Sequence, residues 1–156
     1  MTNYPLQRFP VTQAILAAAK SAGYPSDVAL IPKDGGWRSG PPGGPGATFE
    51  PYSTIIPRMS TFSVGPIGDP MGDWHLPYDL NFYCIRGDET ELLADTVRVA
   101  VAGMVGSSIT VPLGAAYKVI KVNLPVIGQV TRVDLSDPPF YIQTDTIEVW
   151  VAKEPS

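Results

Sequence analysis

One cysteine and one histidine stand in the 156 residues, and no long apolar run goes unbroken by glycine or proline. Each shortage removes a class of protein. A lone Cys84 excludes an intramolecular disulfide framework and fits a reducing compartment. With His75 the only imidazole, a zinc centre of Cys and His ligands cannot be assembled within one chain. The longest nearly uncharged stretch, Val99 to Tyr117, carries Gly103, Gly106, Ser107, Ser108, Thr110, Pro112 and Gly114. Those residues interrupt any span of membrane length. Lysine and arginine number 11 against 15 acids, a net charge of -4. That argues against a general nucleic-acid binder, which needs concentrated cations for phosphate contacts. The opening Met1-Thr2-Asn3-Tyr4-Pro5 has neither the basic region nor the apolar run of a secretion signal, so a soluble, cytosolic chain is expected.

Glycine and proline, by contrast, are abundant. The 15 glycines and 17 prolines make up about a fifth of the chain, which implies many turns around a modest core. Hydrophobic residues at 44% and charged residues at 17% are ordinary for a globular protein, and the length suits a single domain over 1–156. Nine of the thirteen positions from Asp34 to Gly46 are Gly or Pro, a density that predicts a long flexible loop. Trp37 and Arg38 within it are residue types enriched at interfaces.

Periodicity predicts two helices. From Val11 to Ala22, Ile15, Ala18, Ala19 and Ala22 recur at helical spacing, with Pro10 at the start and Gly23 as the stop. From about Glu89 to Met104, Leu93, Val97, Ala100, Val101 and Met104 form an apolar stripe. Asp88 is the expected N-cap of this second helix, with Glu91 at capping-box spacing. Strands are expected at 27–31, 51–56, 75–86, 117–122, 126–133 and 140–152, separated by turns at 65–73 and 136–139. In the strand from His75, Leu76, Tyr78, Leu80, Phe82 and Cys84 share one face, and His75, Asp79, Asn81 and Tyr83 the other. Helix, strand, loop, strands, helix, strands is the order of an α+β fold: a mixed, mostly antiparallel sheet with two helices packed on it.

Chemistry is scarce. His75 lies at a strand start beside Trp74 and Asp73 without a second His, and Cys84 falls on an apolar face, so no nucleophile pair can be built. Asp69 and Asp73 stand in a Gly-rich turn without the spacing of a cation loop. The glycines at 40–46 lack the Gly-Lys-Ser/Thr ending of a phosphate-binding loop. In Arg86-Gly87-Asp88 the acid is expected to cap a helix rather than to serve adhesion. No catalytic residue, cofactor or metal site is expected. Trp37, Arg38, Trp74 and Tyr83 are the candidate interface residues.

One stretch is more specific. Pro51-Tyr52-Ser53-Thr54-Ile55-Ile56-Pro57 precedes Gly65-Pro66-Ile67-Gly68-Asp69-Pro70. A strand ending Phe82-Tyr83-Cys84-Ile85-Arg86-Gly87 and a helix Asp88-Glu89-Thr90-Glu91-Leu92-Leu93-Ala94-Asp95-Thr96-Val97-Arg98 follow. Over residues 50–104 this resembles the tail terminator proteins of long-tailed, siphovirus-type bacteriophages, especially those infecting actinobacteria. The resemblance implies a structural virion protein that forms a ring with itself, a hexamer, and caps the head-proximal end of the tail tube. Its implied partners are the tail tube protein and a head-completion or connector protein. DNA would pass through the channel without specific binding, and no membrane is involved. Location would be the tail neck of the virion, and the host cytoplasm during assembly. The dense Gly/Pro loop at 34–46 departs from the family's pattern. Another neck component (a head-closure or tail-completion protein) and a small cytosolic ligand-binding domain stay open as alternatives.

Overall fold

The computed structural model describes residues 4–59, 61–63, 73–134 and 138–154. It is an α+β domain in which two helices lie on one face of a curled, mostly antiparallel sheet. The strands are β1 (Ser26–Val28), β2 (Trp37–Arg38), β3 (Thr48–Phe49), β4 (Tyr52–Pro57), β5 (Thr61–Ser63), β6 (Asp73–Cys84), β7 (Ser108–Ile109), β8 (Tyr117–Val126), β9 (Thr131–Val133) and β10 (Phe140–Lys153). The helices are α1 (Arg8–Ser21) and α2 (Gly87–Ala102). The main sheet runs β1-β4-β6-β10-β8-β7, with β5 added to β6 and β9 to β10, while β2 and β3 form a separate ribbon. Among the described residues, the β1–β4 pair alone is parallel.

The centre is the long antiparallel pair β6 and β10, in register from Tyr141 opposite Cys84 to Val151 opposite Trp74. Alternation decides the faces. Leu76, Tyr78, Leu80, Phe82 and Cys84 of β6 and Ile147, Val149 and Val151 of β10 are almost fully buried. All of these but Cys84 join one core cluster with Val11, Ile15 and Ala19 of α1 and Leu93, Ala94, Val97 and Val101 of α2. The small side chains of α1 let it lie close. One polar pair crosses this core, Thr12 Oγ1 to Tyr78 Oη at 3.0 Å. Helix α1 starts earlier than its apolar period, and Pro10 falls in the first turn, where an N–H has no helical partner to lose. It stops at Gly23, whose φ of 95° only glycine adopts readily and whose N–H donates to the Lys20 carbonyl.

Several sequence expectations need correction. Asp88 does not stand at the N-cap of α2: the helix begins at Gly87 behind Arg86, whose side chain makes no capping hydrogen bond, and Asp88 lies inside the first turn, where its carboxylate accepts the Glu89 N–H at 2.9 Å. The Thr90 hydroxyl and amide both donate to the Arg86 carbonyl, which fixes the first turn one step earlier. Asp88 also pairs with Arg86 at 2.9 Å, and that guanidinium holds its carboxyl below the usual carboxylate range. The expected break at Asn123-Leu124-Pro125 is also absent, because β8 continues through Pro125. Two residues, Leu124 and Pro125, stand opposite Ile147 where the register shifts, and a bulge tolerates the missing proline N–H. A second shift leaves Ile120 extra between Lys121 and Val119. The segment expected to be a strand over 126–133 shrinks to β9. The Gly-Pro turn at 65–70, Asp69, and Ser136 and Asp137 of the later turn lie outside the described residues.

The segment at 34–46 differs most from its expectation. Lys33–Gly36 forms a tight turn closed by the Gly35 N–H donating to the Pro32 carbonyl at 3.0 Å, with Asp34 and Gly35 both in the left-handed region at φ 60°. Trp37 and Arg38 then pair as a ribbon with Phe49 and Thr48. Gly43 comes so close to Pro138 that an added Cβ would sit 2.8 Å from its ring. Glycine density here serves close backbone approach as well as turning.

Candidate interaction groove

The ribbon and the sheet meet through aromatic side chains. Gly36 makes this approach possible: it is buried at φ 94°, and a Cβ there would lie 3.1 Å from the Glu50 carbonyl, the Phe49 ring and the Tyr52 ring. Its carbonyl accepts from the Glu50 N–H at 2.9 Å, which closes the ribbon against the start of β4. Trp37 packs edge-on to Phe49 with ring centres 5.5 Å apart. Phe49 lies 6.2 Å from Tyr52, Tyr52 stacks on Tyr83 at 4.6 Å, and Tyr83 lies 6.2 Å from Phe140. The Tyr52–Tyr83 stack is a cross-strand pair of β4 and β6, the arrangement in which facing aromatics stabilise a sheet.

These rings wall a groove of about 390 Å³. Ile31, Pro42 and Pro138 complete its apolar lining, and Asp34 and Gly35 form one rim. Among the described residues lining it, Asp34 alone carries a charge. Burial and the neighbouring Tyr83 push the Tyr52 phenol up to about 12, so it stays neutral at physiological pH. The groove therefore offers flat apolar faces, one carboxylate and few donors.

Of the candidate interface residues, Trp37 and Tyr83 come together in this groove. Arg38 sits beside it on the ribbon, 3.2 Å from Glu50, and both side chains are 44% exposed, so the pair adds little stability. Trp74 lies at the far end of β6, partly buried against the helix-side core. His75, also at that end, has Nε2 3.3 Å from Glu148 and its ring 4.6 Å from that of Trp150. Cys84 is buried, its thiol donating to Glu89 at 3.2 Å, and burial pushes it up to about 11. A thiol held there carries almost no thiolate at neutral pH. Among the described residues, no cluster of three His, Cys, Asp or Glu side chains could hold a metal ion, and no helix is long and apolar enough to cross a membrane.

Sequence reasoning missed Asp34, Phe49, Tyr52 and Phe140 as groove residues. It also missed a second constellation. Asp145, fully buried, accepts from Arg98 Nε at 3.2 Å and Nη2 at 2.7 Å on one oxygen. Its other oxygen takes the Gly128 N–H at 2.9 Å and Gln143 Nε2 at 3.0 Å. The signal was available: Asp145 shares the phase of Ile147, Val149 and Val151, so an acid faces the core side and requires partners.

No protein-family model matches this chain, and no curated protein matches it at a significant level. A solved structure superposes with a TM-score of 0.48 and 16% identity, over 97% of this chain and 99% of that chain.

Proposed function

We propose that this chain is a non-catalytic ring-forming protein, a tail terminator that caps the head-proximal end of a long-tailed phage tail tube and joins tail to head. The resemblance over residues 50–104 supports the family. The observation that carries the assembly role is the unlike character of the two ends of the sheet. A closed ring repeats one head-to-tail contact, so each subunit needs two different complementary surfaces. At one end is β1, three residues paired in parallel with β4 and followed by the exposed Leu30 and Ile31. At the other, β8 beyond Val119 is paired only with β10 among the described residues, and Ile120, Val126 and Ile127 are exposed there. An acidic balance also suits a channel through which DNA must slide without sticking.

Mixing the purified protein with its tail-tube protein and measuring tube lengths in negative stain tests this reading. Shortened tubes with added density at one end are the expected result. Tubes of unchanged length and unmodified ends would overturn it and favour a head-closure role.

A further inference from the structure

We infer that the aromatic groove between the β2–β3 ribbon and the β4–β6–β10 sheet binds an extended, proline-rich peptide segment carrying a basic side chain. The inference goes beyond the ring reading and does not depend on it. Three observations select this guest.

The first is the wall. Trp37, Phe49, Tyr52, Tyr83 and Phe140 form a continuous series of rings, each within 6.2 Å of the next. A groove lined by aromatic rings accepts prolyl rings, whose apolar faces pack without rotamer entropy to lose.

The second is the scarcity of main-chain partners. Apart from Asp34, the lining is made of rings, prolines, Ile31 and Gly35, with Tyr52 only 5% exposed as a residue. A guest strand would leave its own N–H and C=O groups unpaired here. A polyproline II segment keeps its backbone solvated and makes no such demand.

The third is charge. Asp34 is exposed at the rim, and among the described lining residues no cation offsets it. A carboxylate beside aromatic faces favours an arginine or lysine head, which gains ion pairing and cation–π contact together.

Isothermal titration calorimetry with the peptide acetyl-Pro-Pro-Arg-Pro-Pro-amide tests the proposal. Binding to the wild-type chain is expected, with the central Arg→Glu peptide weaker by about tenfold, a difference of about 1.4 kcal/mol. Asp34→Asn is expected to erase most of that preference and keep the fold, because asparagine tolerates the positive φ at this position. Trp37→Ala is expected to weaken the Arg peptide about tenfold or more, with urea unfolding run alongside to establish that the variant is folded. Failure of the wild-type protein to bind at millimolar peptide overturns the proposal. So does equal binding by the Glu peptide, or undiminished binding by a folded Trp37→Ala chain. Arginine amide alone binding as tightly as the peptide would make this a small-cation site instead. Self-association that the peptide competes away would assign the groove to a second copy.

Discussion

Replacing Arg98 by methionine should destabilise the protein severely, and the structure sets the scale. The Asp145 side chain is 1% exposed and that of Arg98 15%, with 2.7 Å between Nη2 and the carboxylate. Burial works against the Arg98 charge, yet its hydrogen bonds to Asp145 and Asp95 raise it above its usual range. Methionine keeps most of the buried stem and deletes the cation. Asp145 then retains only Gly128 N–H and Gln143, both neutral donors. Stranding a buried carboxylate in this way costs about 3–5 kcal/mol, a large share of the roughly 5–15 kcal/mol that holds a domain folded. Asp145→Asn should rescue part of the loss, since a neutral amide still offers an oxygen to Gly128 and no longer needs a countercharge. Urea unfolding of wild type, Arg98→Met, Asp145→Asn and the double variant closes the cycle. The double variant should be more stable than Arg98→Met alone. A cost below about 1 kcal/mol for Arg98→Met would refute the reasoning and class this pair with exposed ion pairs.

Three further predictions concern the core and its edges. Val97→Asp buries an unpaired charge under α2 and should abolish cooperative thermal unfolding by circular dichroism; a cooperatively melting variant would mean that the helix presents another face. Gly128→Ala would place a Cβ on the Thr144 carbonyl oxygen, so chemical denaturation should show a loss of at least about 2 kcal/mol and a disturbed Asp145 site, whereas a neutral result would require the 127–130 segment to move freely. Cys84 is raised from its ordinary 9.0 to about 11 in the folded chain, so its contribution is complete below pH 9 and is lost as pH rises from about 9 to 11. Unfolding free energies across that window should fall more steeply for wild type than for Cys84→Ala, and equal slopes would show the thiol to be accessible.

How much of this was legible beforehand depended on how local each cause is. The stripe Leu93, Val97 and Val101 and the alternation Leu76, Tyr78, Leu80, Phe82 are dictated by the helix and strand periods, so they read directly from spacing. The apparent break at Pro125 misled because a bulge relieves the missing donor, and bulges arise from pairing with β10 rather than from β8 itself. The groove was only partly visible. Tyr83 is marked by its place on the opposite face of β6, but Phe49, Tyr52 and Phe140 come from three other strands and meet it only through cross-strand register. The density of glycine at 34–46 suggested looseness, because sequence alone does not separate a glycine that permits motion from Gly36, which permits contact.

The irregularities of β8 have a bearing on how this chain avoids the wrong company. A long free strand at the end of a sheet is an open invitation to fibre growth, since any extended chain can settle on it. Pro125 offers no N–H to a newcomer, and the bulges at Ile120 and at Leu124-Pro125 turn the strand out of flat register. A strand arriving at random meets a ladder with a missing rung and a changing pitch. The same sheet end remains open to a surface shaped to fit it, so the chain can accept a chosen neighbour while resisting endless stacking.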